Sequence, residues 1–306
     1  MYKRQLGAFF GARLPTLIDL SCCSPTFREA IFEDVTGLEE LRLSSSCGRI
    51  PSRFLAGSSI QILTAPGVYM IGQHAFAYCE HLEAVELAEV LGVDNYAFFG
   101  CTTFKAPDTF LENATFIGTE SLAGSGVENI VCTAAVYIGE GAFQQMPALK
   151  TVRVTTKLCI FDVVFQDCTA LETVDWPKAE RVGPRAFAGC TLLSKLRFEA
   201  LRAIGDRAFY NSGLEDFNVG DAYMEGVGHF ELCVQLKRLV FGSTSVTIPA
   251  RFCYGCSQLE ELTTALEATP GGHATLNGKM CTIFSVKAEG LYTCLLYTSD
   301  AADESC

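Results

Sequence analysis

Cysteine and histidine are the side chains of this sequence with the widest range of chemistry. There are 15 cysteines and 4 histidines among the 306 residues. Cys253-Tyr254-Gly255-Cys256 forms a C-x-x-C motif, in which two thiols could bind zinc or exchange a disulfide. Zinc would require a second pair of ligands and redox work a βαβ context, and the sequence supplies neither beside this motif. His74 and His81 likewise lack further ligands nearby. We therefore expect no catalytic residue, cofactor or metal.

An internal repeat fixes where most of these residues must lie. The copy at residues 204–219 reads I-G-x-x-A-F, then a turn of small residues, then L-x-x-F-x-V. We call the apolar residue after the alanine slot the marker, and it recurs every 21–24 residues. Such a period predicts stacked structural units. The markers are Phe9, Phe32, Leu55, Phe76, Phe98, Leu122, Phe143, Phe165, Phe187, Phe209, Phe230 and Cys253.

Each repeat contains two patterns that predict local structure. Leu193, Leu196 and Phe198 end in the period-two alternation of a strand with one buried face. Residues 186–190 resemble one helical turn, with Phe187 and Cys190 three apart on one side. A unit of this length cannot bury enough apolar surface to fold alone, so neighbouring copies must stack. The sequence therefore predicts a solenoid with one parallel strand and one short helical turn per repeat.

The repeat resembles the BspA-like leucine-rich repeats, also called the Treponema pallidum type. Their pattern is close to L-x-x-L-x-L-P-x-x-[LV]-x-x-I-G-x-x-A-F-x-x-C, and residues 85–101 and 174–190 carry it here. The resemblance covers about residues 6–263. It implies an α/β leucine-rich-repeat solenoid that is β-rich overall, surface display, and adhesion to host or matrix proteins. It implies no catalytic residues.

Six cysteines occupy one slot of the repeat, three residues after the marker. Other copies place alanine, valine, serine or methionine there, which indicates a buried packing position where a free thiol acts as a small apolar group. An occasional disulfide between neighbouring copies stays open at this stage. The six are Cys79, Cys101, Cys168, Cys190, Cys233 and Cys256.

The exposed strand residues should line the inner face of the sheet. Their charges alternate in sign, which fits either an ordinary solvated face or a mixed-polarity surface for a protein ligand. Arginine is the residue type among them that most often matters at an interface, and Arg153, Asp175 and Arg197 stand in the middle. The adjacent Trp176 falls in a core slot and is expected to be buried. The candidate ligand residues are Arg153, Asp175, Lys195, Arg197, Asn218 and Arg238.

The charge balance restricts the partners. The formal net charge is -12, so the chain lacks the basic footprint of a protein that binds nucleic acid or an anionic membrane. No apolar run reaches the roughly 18 residues of a membrane span. Basic or amphoteric proteins remain as ligands.

The repeat also predicts the organisation of the chain. Residues 1–5 and 294–306 resemble translated sequencing adaptor, and we expect both to be artefacts. Residues 6–263 form the solenoid of about 12 repeats, with a weak strand at Lys105-Ala106-Pro107 because proline removes a ladder donor. Residues 264–293 contain an Asn277-Gly278 hairpin signal, which predicts a cap or the start of a further domain.

These observations favour a non-catalytic protein-recognition or adhesion module at the cell surface or secreted. Two other interpretations stay open. One is an intracellular scaffold with reduced thiols, and a signal peptide on the full-length protein would count against it. The other is an accessory repeat region of a larger enzyme, which a neighbouring catalytic domain would reveal.

Overall fold

The computed structural model describes residues 8–23, 26–87, 89–242, 249, 251–264, 273–276, 279–282 and 292–293. The described chain is a β-solenoid of stacked parallel strands. Most repeats contribute a long strand at their leucine-rich end and a short strand before the marker. The long strands are β1 (Leu17–Leu20), β2 (Glu40–Leu43), β4 (Ile62–Thr64), β6 (Ala84–Glu86), β9 (Asn129–Cys132), β11 (Thr151–Val154), β12 (Thr173–Asp175), β14 (Lys195–Arg197), β16 (Asp216–Gly220), β18 (Arg238–Phe241) and β19 (Glu261–Thr264).

The short strands form a second set of parallel sheets. Strands β3 to β10 of this set make one sheet in the order β10-β8-β7-β5-β3, and the last three make another. A single 3-10 helix, Asp108–Leu111, is the one helix of the described residues. The short strands are β3 (Arg49–Ile50), β5 (Met70–Ile71), β7 (Gly92–Val93), β8 (Phe116–Ile117), β10 (Tyr137–Ile138), β13 (Arg181–Val182), β15 (Ala203–Ile204) and β17 (Tyr223–Met224).

The markers align in an interior column, as the repeat predicts. The rings of Phe143, Phe165, Phe187 and Phe209 stack with centroids 5.2–5.6 Å apart. All four side chains are fully buried. The strands keep the same register, since Val152 pairs with Val174 and Val174 with Leu196. Equivalent residues therefore lie directly above one another, and each repeat covers the apolar face of the next.

The predicted helical turn after the short strand is wrong. In the copy around Phe187, alternate amides donate to the next repeat. The three interrepeat bonds run from Arg185 to Asp206, from Phe187 to Ala208 and from Gly189 to Tyr210, at 2.8–2.9 Å. The amides between them donate to the carbonyl three residues back, as in Ala186 to Gly183 at 3.2 Å. In an α-helix each amide donates to the carbonyl four residues back. Here the alternate amides donate to carbonyls of the stacked neighbouring repeat instead.

This alternation of hydrogen bonds requires positive φ values, which an α-helix excludes. The residues two before and two after each marker from Phe32 onward have positive φ, for example Arg185 at 53° and Gly189 at 76°. A non-glycine residue in this region costs about 1 kcal/mol or more, and the interrepeat bonds offset that cost. The non-glycine residues two before the marker are Ala30, Arg53, His74, Tyr96, Glu120, Val163, Arg185, Arg207 and Arg251.

The long-strand sheet is interrupted twice along the solenoid. Residues 105–107 form no strand, so the weak strand expected there is wrong; Pro107 lacks the amide donor that a ladder needs. A second break, which the sequence did not predict, separates β14 from β16. Each new sheet follows a shortened copy, in which a glycine amide donates to the cysteine-slot carbonyl of the preceding repeat. Gly126 donates to the Cys101 carbonyl at 3.2 Å, and Gly213 donates to the Cys190 carbonyl at 3.0 Å.

Three further strands follow the last repeat. β20 (His273–Leu276) and β21 (Lys279–Thr282) pair antiparallel, and β22 (Tyr292–Thr293) pairs antiparallel with β19. The Asn277-Gly278 turn expected between β20 and β21 lies outside the described residues, as do residues 1–7 and 294–306. The roles of these segments stay predictions.

Candidate recognition surfaces

Three of the predicted ligand residues lie side by side on the long strands. Arg153 on β11 pairs with Asp175 on β12, which pairs with Arg197 on β14. Lys195 shares β14 and pairs with Thr173. The Arg197 guanidinium lies 3.3 Å from the Asp175 carboxylate and 2.5 Å from Glu199. The middle of the predicted surface is therefore contiguous, with one arginine already held by two carboxylates.

Asn218 and Arg238 lie on a different sheet from the other candidates. They belong to β16 and β18, beyond the break after β14. Arg238 binds both carboxylate oxygens of Asp216 at 2.8 Å, and this hydrogen bonding lowers the pKa of Asp216. The Asn218 side chain accepts a hydrogen bond from the Gly220 amide at 2.9 Å. Both side chains are thus engaged within their own sheet.

Charges along the whole long-strand face are paired between neighbouring repeats. Lys150 binds Glu128 at 2.7 Å and Lys237 binds Glu215 at 2.8 Å. Exposed pairs of this kind contribute little to stability, but they leave few charges free for a ligand. Within the described part of the chain, the side chains of Arg153 and Lys195 are cations of this face that make no ion pair or hydrogen bond. Trp176 beside them is fully buried and its Nε1 donates to the Thr156 carbonyl at 3.2 Å, as expected.

The short-strand face carries an apolar surface that the sequence reasoning missed. Phe116 and Tyr137 stack with centroids 5.2 Å apart, and Phe161 continues the row 5.9 Å from Tyr137. In the row beside them, the Leu91 amide donates to the Tyr69 carbonyl at 2.9 Å, which places these two residues in adjacent repeats. We call this surface the apolar strip; its members are Tyr69, Leu91, Phe116, Val136, Tyr137 and Phe161.

Every member of the apolar strip is exposed, from 37% for Phe116 to 72% for Val136. Exposed apolar side chains grouped on one face often mark a binding surface, and the exposed Thr115 separates Leu91 from Val136 in their row. The signal was present in the sequence: the residue before the buried isoleucine is aromatic in Phe116-Ile117 and Tyr137-Ile138. The two-residue segment is too short for period-two alternation to assign this position to an exposed face.

The apolar strip ends where the same face becomes charged. Arg181 binds Glu225 at 2.7 Å and Lys157 binds Glu180 at 3.1 Å. Arg202 lies 3.6 Å from Glu180. These pairs form a polar border along β13, β15 and β17. An apolar centre beside a polar rim is the usual composition of a protein–protein interface.

The thiols are placed for packing. The 12 cysteines from Cys22 to Cys256 are free. Cys256 of the C-x-x-C motif is buried, and its Sγ donates to the Phe230 carbonyl at 2.9 Å. Burial raises the pKa of Cys253 well above its ordinary value, which disfavours the reactive thiolate. Among the residues that the structure describes, no group of three or more histidine, cysteine, aspartate or glutamate side chains could hold a metal ion.

The two histidines considered for metal binding have different environments. His74 is half-buried and stacks on Tyr96 with centroids 4.8 Å apart, while His81 is exposed. Burial lowers the pKa of His74. In the described chain, no helix is long and apolar enough to cross a membrane.

Comparison with known sequences gives one family. A model described as "BspA type Leucine rich repeat region", in 6 copies, matches residues 6–125, 70–179 and 158–269. A comparison with curated proteins gives no significant match.

Several solved structures are similar in fold. One is a leucine-rich repeat protein from Bacteroides ovatus, with 19% identity, a TM-score of 0.41, and coverage of 75% of this chain and 78% of that one. Another, from Eubacterium ventriosum, has 21% identity, a TM-score of 0.45, and coverage of 73% and 65%. A leucine rich cell surface protein from Faecalibacterium prausnitzii has 17% identity, a TM-score of 0.40, and coverage of 79% and 83%.

Proposed function

Because this chain belongs to the family of BspA-type leucine-rich repeat proteins, we propose that it is a non-catalytic module that recognises protein ligands. The adhesion role and cell-surface location that the family implies are part of this proposal. The ligand class is host or matrix proteins. No residue is assigned a catalytic role, and no cofactor is needed.

The apolar strip is the observation that carries the proposal. Tyrosine is one of the residue types that dominate binding energy at interfaces, and phenylalanine is enriched there. Phe116 and Tyr137 are held by strands, so little conformational entropy is lost when they bind. The long-strand face offers less, since its charges are mostly paired already. We therefore place the primary contact on the apolar strip and a secondary one at Arg153 and Lys195.

The test is a substitution that adds charge without disturbing the fold. Val136 is 72% exposed, so Val136→Asp is expected to leave the melting temperature unchanged. Binding to a matrix or host-surface protein identified on a protein array should weaken by about tenfold or more, because a carboxylate must then be desolvated in the interface. Surface plasmon resonance with that protein measures the change.

Tyr223→Asp is the matched control. Tyr223 is 69% exposed and lies in the same short-strand slot as Tyr137, but within the charged border. It should bind as the unaltered chain does. Equal affinity of Val136→Asp and the unaltered chain would contradict the placement of the primary contact on the apolar strip. Loss of binding in Arg153→Glu alone would show that the ligand binds the long-strand face instead. Failure of the folded chain to bind any arrayed protein would count against recognition itself.

A further inference from the structure

A depression on a third side of the solenoid lies outside both surfaces described above. It is formed by the row of residues one position after the marker. Ala188 and the adjacent Gly189 are small, whereas Gln166 before them and Tyr210 after them are large. The missing side chains leave a cavity of about 380 Å³, which lies within the range of small-molecule sites.

The walls of this cavity carry both donors and acceptors. Arg185 and Arg207 occupy the same slot of successive repeats on one side, and Asp167 and Asn211 the slot two after the marker on the other. Arg207 lies 3.3 Å from the Asp206 carboxylate. Arg185 is exposed and, among the described residues, its guanidinium makes no ion pair or hydrogen bond. One strong donor at this wall is therefore unused.

Glu231 forms a buried, negatively charged part of the wall. Its side chain is about 95% buried and lines the cavity. Oε1 accepts a hydrogen bond from Arg251 Nε at 3.1 Å. Oε2 has no hydrogen-bond partner within the described residues and lies 3.6 Å from Arg207 Nε. This oxygen is itself buried, so Glu231 contributes negative charge to the wall, and the exposed carboxylate of Asp167 is the acceptor that a ligand can reach.

The lining selects against simple ions. A phosphate or sulfate would meet the carboxylates of Asp167 and Glu231, and a metal ion or ammonium group would meet the guanidiniums of Arg185 and Arg207. A ligand that fits must be close to neutral and must donate and accept hydrogen bonds at neighbouring atoms. Sugar hydroxyls do both, and Tyr210 offers a ring beside them whose face is apolar. We propose that this cavity is a saccharide-binding site, separate from the protein-recognition surface.

The test fills the cavity with a side chain that the fold accepts. Ala188→Gln places glutamine in a row where Gln144 and Gln166 already stand, so the chain should fold normally. Saturation-transfer NMR with glucose, galactose, mannose and N-acetylglucosamine, and with their β1,4-linked disaccharides, should show binding of at least one sugar to the unaltered chain. Ala188→Gln should abolish that signal. Ala123→Gln, in the same row of a distant repeat, should preserve it.

A second variant separates recognition from occlusion. Arg185→Val keeps the cavity open, and the fold tolerates valine in this slot at Val163. It should weaken the sugar by about tenfold through loss of one charge-assisted hydrogen bond. Absence of signal with every sugar, unchanged binding by Ala188→Gln, or binding of inorganic phosphate in place of sugar would each overturn the proposal. Protein binding through the apolar strip should be unaffected by all three variants.

Discussion

The cysteine slot shows how one residue type can serve packing alone. In successive copies the thiol donates to the carbonyl of the marker in the preceding repeat, for example from Cys168 to Phe143 at 2.9 Å and from Cys190 to Phe165 at 3.1 Å. Burial raises the pKa of Cys168 to about 12. Serine, which can make a similar bond, takes the slot at Ser58 and Ser212. Alanine, valine and methionine fill the slot in other copies, so the position selects a small or apolar side chain, and the chemistry of the thiol is suppressed.

This placement predicts which thiols react in the folded chain. Cys159 is exposed on the short-strand face, whereas Cys190 is fully buried. With Ellman's reagent, Cys159→Ser should remove one fast-reacting thiol and Cys190→Ser none, since only an accessible thiolate attacks. In denaturant both variants should lose one thiol. A fast-reacting thiol lost in the Cys190→Ser protein would show that the slot is open to solvent.

His229 is the buried titratable group most sensitive to pH. It replaces the alanine common before the marker, is fully buried, and its Nε2 lies 3.0 Å from the Glu225 carbonyl. Burial lowers its pKa below the usual 6.5. The unfolded chain then takes up a proton at a higher pH than the folded chain. Stability is therefore full above about pH 6.5 and falls as the pH drops toward the folded-state pKa.

His229→Ala should flatten this pH dependence. The variant is expected to have a lower urea midpoint at neutral pH, because a cavity remains, but a smaller further loss on acidification to about pH 5. Urea titrations at both pH values measure the difference. His81→Ala, which removes an exposed histidine, is the control and should keep the slope of the unaltered chain. Identical slopes for all three proteins would mean that His229 does not titrate differently on folding.

At the scale of the element, a new sheet begins after two of the three shortened copies. The third, in which the Ser59 amide donates to the Val35 carbonyl at 3.1 Å, continues the sheet from β2 to β4. Gly213 lies so close to the preceding repeat that a Cβ would stand 2.2 Å from the Thr191 carbonyl oxygen. Gly126 is in the same situation, 2.4 Å from the Thr102 carbonyl oxygen. These glycines allow the short turn to bond to the cysteine-slot carbonyl of its neighbour. The strand that follows starts a new sheet.

Gly213→Ala should destabilise the chain by about 2–3 kcal/mol, since the backbone must shift to relieve the overlap. Gly220→Ala is the control: its φ is 58° and no atom lies within 4 Å of the added Cβ, so only the backbone cost of about 1 kcal/mol applies. Chemical denaturation gives both values. Equal losses would imply that the close approach at Gly213 can relax without cost.

At the scale of the whole molecule, stability depends on contacts between adjacent repeats. The marker column passes from ring to ring, and leucine takes the place of phenylalanine at Leu55 and Leu122. Such a chain approximates a one-dimensional array, in which distant repeats do not interact directly. The two recognition faces are also products of stacking, because each surface row takes one residue from each successive repeat.

A double-mutant cycle tests this arrangement. Phe165 and Phe187 stack at 5.2 Å, so Phe165→Leu and Phe187→Leu should cost about 1 kcal/mol each and couple by about 0.5–1 kcal/mol. Phe76→Leu with Phe187→Leu should be additive, because five repeats separate the two side chains. Chemical denaturation of the single and double variants supplies the energies. Coupling of similar size in both cycles would show that strain spreads through the whole solenoid.

The sequence by itself determined the repeat, the buried slots and the order of the inward strand residues. A unit too small to fold alone must repeat its apolar pattern. Phe187, Cys190 and their equivalents in the other copies form that pattern. The adjacency of Arg153, Asp175 and Arg197 followed from the same register. These features depend on periodicity, which local sequence records directly.

Only the tertiary structure decided how the turns bond and which surface stays unoccupied. The helical turn failed because the amides of Arg185, Phe187 and Gly189 find their carbonyls in the next repeat, and no local pattern encodes a neighbour. The same holds for the long-strand charges, which pair across repeats, and for the apolar strip and the Ala188 cavity, which exist only once residues 22 or so apart are brought side by side.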